Sequence, residues 1–106
     1  MPLPSRKFNQ TPWSQGSNEH IAYEIDFTKW NPHSTVISNP TATLIDITNG
    51  VDVTATKMLG AASILGNIFT TPSVYGLVDG VQYRLNCYID VDGNTLEAWG
   101  IIIGET

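Results

Sequence analysis

The chain has 106 residues, the size of a single domain. Only 14% of its residues are charged, against roughly 25% in a typical soluble domain, and its net charge of −5 disfavours a general binder of nucleic-acid backbones, which needs a basic stripe. The single cysteine, Cys87, excludes an intrachain disulfide and therefore an antibody-type domain. We expect no signal peptide and no membrane segment, because no long apolar run is present.

Residues 1–19 hold three prolines and few core-forming side chains. This composition predicts an extended N-terminal arm without regular structure, followed by one domain over residues 20–106. Trp13 is the exception within the arm. A lone tryptophan at this place either folds back on its own domain or docks on a neighbouring molecule, and the sequence leaves both open.

Alternating apolar and polar residues predict four strands in the first half of the domain. They are Ile21–Phe27, Ser34–Ser38, Thr41–Ile47 and Val51–Thr56. Trp30 follows the first strand but lies off its apolar face. Asn49-Gly50 predicts a β-hairpin with a type I′ turn, because both residue types tolerate positive φ.

The segment 57–67 carries the weakest pattern of the chain. Because Gly60 and Gly66 bracket it, we expect an irregular loop followed by a strand over Ile64–Thr71. A short helix is the alternative.

The clearest pattern is the strand Val81–Val91 and the turn that precedes it. Leu77, Gly80 and Tyr83 have the spacing of the tyrosine corner of immunoglobulin-like sandwiches, in which the phenol hydroxyl bonds backbone a few residues upstream. Cys87 shares the inward face with Tyr83, which indicates an inert buried side chain.

The last hairpin turns at residues 92–94, and its register is open. A two-residue turn places Leu96, Ala98, Gly100 and Ile102 on the Tyr83 side. A three-residue turn places Trp99, Ile101 and Ile103 there instead, and their larger apolar bulk favours this register. Either register leaves apolar side chains on the opposite face, so we expect the arm or another chain to cover it.

These elements amount to about seven short strands with turns between them. The predicted fold class is all-β: an immunoglobulin-like antiparallel β-sandwich with an extended N-terminal arm. A small jelly roll is the alternative.

No catalytic, cofactor or metal site is expected, and we interpret the protein as a non-enzyme. Asp90, Asp92 and Asn94 resemble the start of a calcium loop, but the glycine and the final glutamate of that motif are missing, so a turn is predicted. The two histidines, His20 and His33, lack partners at zinc-binding spacing and are expected to be solvated or capping.

Three segments resemble small virion-associated proteins of tailed bacteriophages. They are Tyr23–Phe27, Gly80–Leu85 and Asp92–Glu97, although that family usually has tryptophan where this chain has Phe27. The resemblance implies a single immunoglobulin-like domain that binds capsid, neck or tail proteins in many copies, without catalytic residues. It also implies a virion location after folding in the host cytoplasm, as a multi-copy component or homo-oligomer on the particle. From the charge and the lack of long apolar runs, we expect no nucleic-acid or membrane partner.

Candidate partner-docking residues follow from the exposed aromatic residues and from the apolar excess of the last strand. They are Trp13, Trp30, Trp99, Ile101 and Ile103. The alternative interpretation is a carbohydrate-binding or adhesin-type module that uses exposed aromatic rings.

Overall fold

A computed structural model describes residues 6–9, 11–31 and 36–106 of the chain. The strands are β1 (Trp13–Gly16), β2 (Glu24–Asp26), β3 (Ser38–Asp46), β4 (Val51–Asp52), β5 (Met58–Leu59), β6 (Ser63–Leu65), β7 (Ile68–Thr70), β8 (Ser73–Val74), β9 (Gln82–Val91) and β10 (Asn94–Glu105). The helical segments within these ranges are a 3-10 turn, Thr28–Trp30, and one α-helical turn, α1, Thr54–Lys57.

The strands form the two layers of a sandwich. One layer is a five-stranded sheet in the order β1-β10-β9-β3-β4, and the other contains the sheets β2-β7-β6 and β5-β8. An antiparallel bridge between Ile21, just before β2, and Val74 of β8 connects the two parts of the second layer. The predicted all-β sandwich is confirmed. It has more strands than expected, because glycine and proline turns divide the second layer into short pieces.

The core follows the alternation of β9. Tyr83, Leu85, Cys87 and Ile89 are fully buried on its inward face. Burying one such side chain stabilises the fold by about 1.5–3 kcal/mol. Burial also raises the pKa of the Cys87 thiol, which keeps it protonated and unreactive.

A hydrogen bond at the start of β9 joins the strand to the preceding loop. The backbone N–H of Val78 donates to the Tyr83 hydroxyl at 3.0 Å, the backbone contact of a tyrosine corner. Gly80 allows the turn with φ +79°. Its N–H donates to the carbonyl of Gly104 at 2.9 Å, so the loop is also attached to the end of β10.

The last hairpin has the two-residue register, and the predicted three-residue turn is wrong. Asn94 pairs with Val91, and Ile102 lies opposite Tyr83. Asp92 and Gly93 have φ values of 51° and 79°. Both central residues are therefore left-handed, as in a type I′ turn, whose twist matches that of the flanking strands.

The hairpin between β3 and β4 is confirmed, but its predicted type I′ turn is wrong. Four residues connect Asp46 to Val51, and Asn49 does not have positive φ. The Asp46 carboxylate accepts hydrogen bonds from the backbone N–H and the side-chain amide of Asn49, both at 2.8 Å. These bonds hold a wider turn than the dipeptide alone predicts.

The strand predicted over Val51–Thr56 is shorter, because the chain becomes helical after Asp52. The Asp52 carboxylate accepts a hydrogen bond from the Thr54 N–H at 2.9 Å, at the start of α1. The strand predicted over Ile64–Thr71 is divided into β6 and β7 by a turn at Gly66 and Asn67. The alternative of a helix over 57–67 is wrong, since β5 and β6 occupy this segment.

Two other strands differ from prediction in extent. The first is regular only over Glu24–Asp26. Within the predicted Ser34–Ser38 strand, Val36 and Ile37 have no regular structure, and Ser34 and Thr35 lie outside the described residues. Ser38 instead opens β3, which continues through Asn39, at φ 51°, with a shift in register against β9. Such an irregularity is a β-bulge.

The predicted absence of regular structure in the arm is wrong for Trp13–Gly16, which form β1. This strand runs parallel to β10, from Trp13 opposite Ile102 to Gly16 opposite Glu105. Upstream, Trp99 and Phe8 extend the pairing, and the amide of Asn9 bonds both the N–H and the carbonyl of Ile101, at 3.2 and 2.9 Å. Residues 1–5 and 10 of the arm lie outside the described residues.

Gln15 attaches this arm to the second layer. Its side chain is fully buried, and its amide nitrogen donates to the carbonyl of Val74 at 2.7 Å and to that of Glu19 at 3.1 Å. The amide oxygen accepts a hydrogen bond from the Tyr23 hydroxyl at 2.6 Å. A buried amide with all these partners is tolerated in a core, and it makes the position of β1 specific.

We predict that alkaline pH destabilises the protein through Tyr23. Burial, and secondarily the charge of Glu19, raise the pKa of Tyr23 from 10.0 to about 12. A raised pKa means that the stability contribution is complete below pH 10 and is lost between pH 10 and about 12. Urea unfolding across this range should show the loss, and Tyr23→Phe should flatten it. If the free energy of unfolding fell equally steeply with pH in both proteins, the loss could not be assigned to Tyr23.

Gly104 is predicted to tolerate no side chain, because a Cβ there would overlap the Val78 carbonyl oxygen of the corner loop. Gly104→Ala should lower the free energy of unfolding in urea by at least about 2 kcal/mol. Overpacking costs about 1–3 kcal/mol, and a backbone carbonyl cannot move aside as a flexible side chain can. Gly100→Ala is the matched control: its Cβ would meet the ring of Phe8, so Phe8→Ala should rescue it. Phe8→Ala should not rescue Gly104→Ala.

Candidate functional site

The five predicted docking residues separate onto two surfaces of the sandwich. Trp99, Ile101 and Ile103 alternate with the core residue Ile102 and so share the outward face of β10. Trp13 and Trp30 instead line a cleft between the arm and β2. One surface is therefore a sheet face, and the other is a concave site.

We define the β10 face as the outward side chains of β10 around Trp99, Ile101 and Ile103, together with Arg84 of β9 and Lys7 of the arm. Arg84 lies opposite Ile101 in the ladder. Ile101 is only 9% exposed and yet does not belong to the core cluster. Its neighbours on the same face cover it.

Two cations lie over the indole ring of Trp99. The guanidinium carbon of Arg84 is 4.2 Å from the ring centroid, and Nζ of Lys7 is 5.3 Å from it. Arg84 also donates to the Asn86 side-chain oxygen at 2.8 Å and to the Glu97 carboxylate at 3.3 Å. This ion pair is too exposed to stabilise the fold by more than about 1 kcal/mol, but together these contacts orient the guanidinium over the ring.

Charges of both signs lie at this face. Lys7 and Arg84 are its two cations, and Glu97 and Glu105 lie on the same outward side of β10. The carbonyl of Arg6 accepts a hydrogen bond from the Trp99 N–H at 2.9 Å, which places the arm beside β10. The β10 face therefore combines a tryptophan and two isoleucines with two cations and two carboxylates.

The cleft has a volume of about 450 Å³. Trp13 stacks on Tyr23, with ring centroids 4.8 Å apart, and Phe8 lies against it at 5.2 Å. Trp30 is only 7% exposed, and Nζ of Lys29 lies 4.6 Å from its ring centroid. These neighbours occupy most of the aromatic faces that a stacked sugar ring would need.

Two carboxylates border the cleft. Those of Glu24 and Asp26 lie on the exposed side of β2. Asp26 accepts hydrogen bonds from the hydroxyl and the backbone N–H of Thr28, at 2.5 and 2.9 Å, and these bonds lower the pKa of its carboxyl. Asp26 is therefore ionised and engaged in a local turn, which does not prepare it to transfer a proton.

The other residues considered for chemistry have structural surroundings. Asp90 accepts hydrogen bonds from Asn39 and Thr95, both at 2.9 Å, beside the two-residue turn. His20 is exposed and stacks on Tyr75, and His33 lies outside the described residues. Over residues 6–9, 11–31 and 36–106, no three side chains of the types that bind metals come together.

Sequence reasoning missed the arm residues that complete both surfaces. Lys7 and Phe8 reach Trp99 and the cleft because the arm pairs with β10, and Arg84 reaches Trp99 only in the two-residue register. The alternation of β9 predicted that Arg84 points outward. It could not predict that Arg84 lies opposite Ile101 and over Trp99, because this depends on the register with β10.

No protein-family model, curated protein or solved structure matches this chain. The helical turns within the described ranges are too short to cross a membrane.

We predict that Trp99 contributes less to stability than its core neighbour on β10. Trp99→Thr should cost about 1–2 kcal/mol, because it removes two cation–π contacts worth about 0.5–1 kcal/mol each at an exposed site. Ile102→Ala should cost about 2–5 kcal/mol, because Ile102 is fully buried. Urea unfolding measures both, and equal costs would place Trp99 in the core.

Proposed function

We propose that this protein is a non-enzymatic structural component of a tailed-phage virion that binds capsid, neck or tail proteins through its β10 face, in multiple copies. The observation that carries the proposal is the outward pair Trp99 and Ile103, which lie on either side of the buried Ile101, with Arg84 held over the Trp99 ring. Tryptophan and arginine are the residue types most enriched among the energetically dominant residues of protein interfaces. The resemblance of Tyr23–Phe27 and Gly80–Leu85 to small virion-associated proteins supports the virion as the setting.

The proposed mode of binding is face-on contact. The described arm residues pair with their own β10, so they support the face and are not offered to a partner as a free strand. On the opposite side of the sheet, the edge strand β4 covers only the end of β3, and the uncovered part of β3 carries Pro40 and the bulge at Asn39, features that discourage strand addition. Many copies on one particle would let weak single contacts hold by avidity.

The test is binding of the purified protein to the proteins encoded beside its own gene. Trp99→Thr combined with Ile103→Thr should weaken binding to a virion protein at least tenfold, because truncating central interface residues costs about 2 kcal/mol or more. Leu59→Thr is the matched control: it removes an exposed apolar side chain from β5, away from the β10 face, and should change affinity less than twofold. Equal binding by all variants would overturn the proposal.

A second candidate function is saccharide binding in the cleft, which its carboxylates favour because they can accept hydrogen bonds from sugar hydroxyls. Glu24 is the residue to change, since Asp26 is engaged with Thr28. On a glycan array, retention of a specific sugar that Glu24→Ala abolishes and the double variant of the β10 face preserves would favour this function over the first.

A further inference from the structure

The pair Asn49-Gly50 carries a chemistry of its own, apart from both candidate surfaces. Asparagine followed by glycine is particularly prone to spontaneous deamidation, because glycine has no side chain to hinder attack by its backbone nitrogen. Both residues are exposed in the turn between β3 and β4, so water reaches them. The reactivity of the pair therefore depends on the hydrogen bonds that hold the turn.

Deamidation has two steps. The backbone nitrogen of Gly50 loses its proton and bonds Cγ of Asn49, the Cγ–Nδ2 bond breaks, and the side-chain nitrogen takes up a proton and leaves as ammonia. Water then adds to one of the two carbonyls of the resulting succinimide, which opens to aspartate or to isoaspartate at position 49. In sum, an amide and a water molecule give a carboxylic acid and ammonia.

Asp46 engages each group that this reaction needs. Its carbonyl oxygen accepts a hydrogen bond from the N–H of Gly50, the nucleophile, at 2.7 Å. Its carboxylate accepts hydrogen bonds from the Asn49 N–H and from Nδ2 of Asn49, the leaving group, both at 2.8 Å. Attack requires Cγ of Asn49 to approach the Gly50 nitrogen, so the bonds of both residues to Asp46 must break first.

The Asp46 carboxylate is charged and held in place. It is only 8% exposed, and Asp46 lies opposite Tyr83 in the ladder. Its hydrogen bond from the Asn49 side chain lowers the pKa of the carboxyl, which keeps it ionised at neutral pH. A negative charge beside Gly50 also opposes loss of the proton from its nitrogen, because that loss creates a second negative charge.

Two further hydrogen bonds fix the turn against β9. The Ile47 N–H donates to the Gln82 carbonyl at 3.0 Å, and the Gln82 N–H donates to the Thr48 hydroxyl at 2.9 Å. Opening of the turn therefore breaks bonds to β9 as well as those to Asp46. Such local opening is rarer than fraying of a free loop.

We propose that Asn49-Gly50 is a latent deamidation site, which the Asp46 carboxylate keeps unreactive while the β3–β4 turn is closed. The inference is independent of the proposed function. Once formed, a carboxylate at position 49 could not donate the Nδ2 hydrogen bond and would repel Asp46. The product therefore cannot restore the closed turn, and each opening that leads to reaction loosens the edge strand β4 irreversibly.

The test compares deamidation of the full chain in native buffer and in concentrated urea. Peptide mapping by mass spectrometry measures loss of the Asn49 amide, and enzymatic methylation of isoaspartate detects the rearranged product. In native buffer, Asp46→Asn and Asp46→Ala should deamidate Asn49 at least about tenfold faster than the wild type, because each removes hydrogen bonds to a charged acceptor. In urea the three proteins should react at similar rates, since no closed turn protects the amide.

Asp52→Asn is the matched control from the same hairpin. The Asp52 carboxylate also accepts a backbone hydrogen bond, from the Thr54 N–H at 2.9 Å, but at the start of α1 and not at Asn49. This variant should deamidate Asn49 like the wild type. Thermal unfolding confirms that each variant is folded under the assay conditions, and Asp46→Ala introduces no new amide that could be mistaken for Asn49.

Two results would overturn the proposal. One is a folded wild type that deamidates as fast as the wild type in urea, since nothing would then protect the site. The other is a wild-type rate in folded Asp46→Asn and Asp46→Ala, since the carboxylate would then play no part. Neither result affects the proposed function, which depends on binding through the β10 face.

Discussion

The structure depends on the strand β10, which is apolar on both faces and lies between β9 and the arm. Its inward side chains, among them Ala98 and Ile102, enter the core. Its free edge is closed by the arm, through the parallel pairing of β1 and the amide of Asn9. The buried Gln15 then ties the arm to the second layer, so the first and last segments of the sandwich hold each other in place.

This closure determines which surfaces remain for binding. Because the arm carries Lys7 and Phe8 to β10, it places a cation over Trp99 on the outside and a phenyl ring at the mouth of the cleft. In the same pairing, backbone groups of the arm bond β10, so these groups are not available to a partner. Beside the short edge strand β4, the bulge at Asn39 disturbs the part of β3 that β4 leaves uncovered, and this discourages strand addition there.

The patterns that predicted structure well are local ones. The inward face of β9 followed from alternation, and the corner at Leu77–Tyr83 followed from the spacing of three residues. The turn at Asn49-Gly50 was mispredicted because the carboxylate of Asp46 outweighs the preference of the dipeptide. Of the candidate docking residues, Trp99, Ile101 and Ile103 share a face, whereas Trp13 and Trp30 line a cleft that alternation could not reveal.

The sequence by itself determined the all-β class, the core side of β9 and the inert burial of Cys87, because these depend on the order of apolar residues within one strand. Only the tertiary structure decided the register of β10 and the place of the arm. Apolar bulk favoured the wrong register, because it counted Trp99, Ile101 and Ile103 as core. In the structure they face outward, beside arm residues some ninety positions upstream that pair with the edge of β10 and place Lys7 over Trp99. Pairing across such a separation leaves no periodicity in the sequence. The pairing of β1 with β10 therefore could not be predicted from local patterns and is found only in the folded structure.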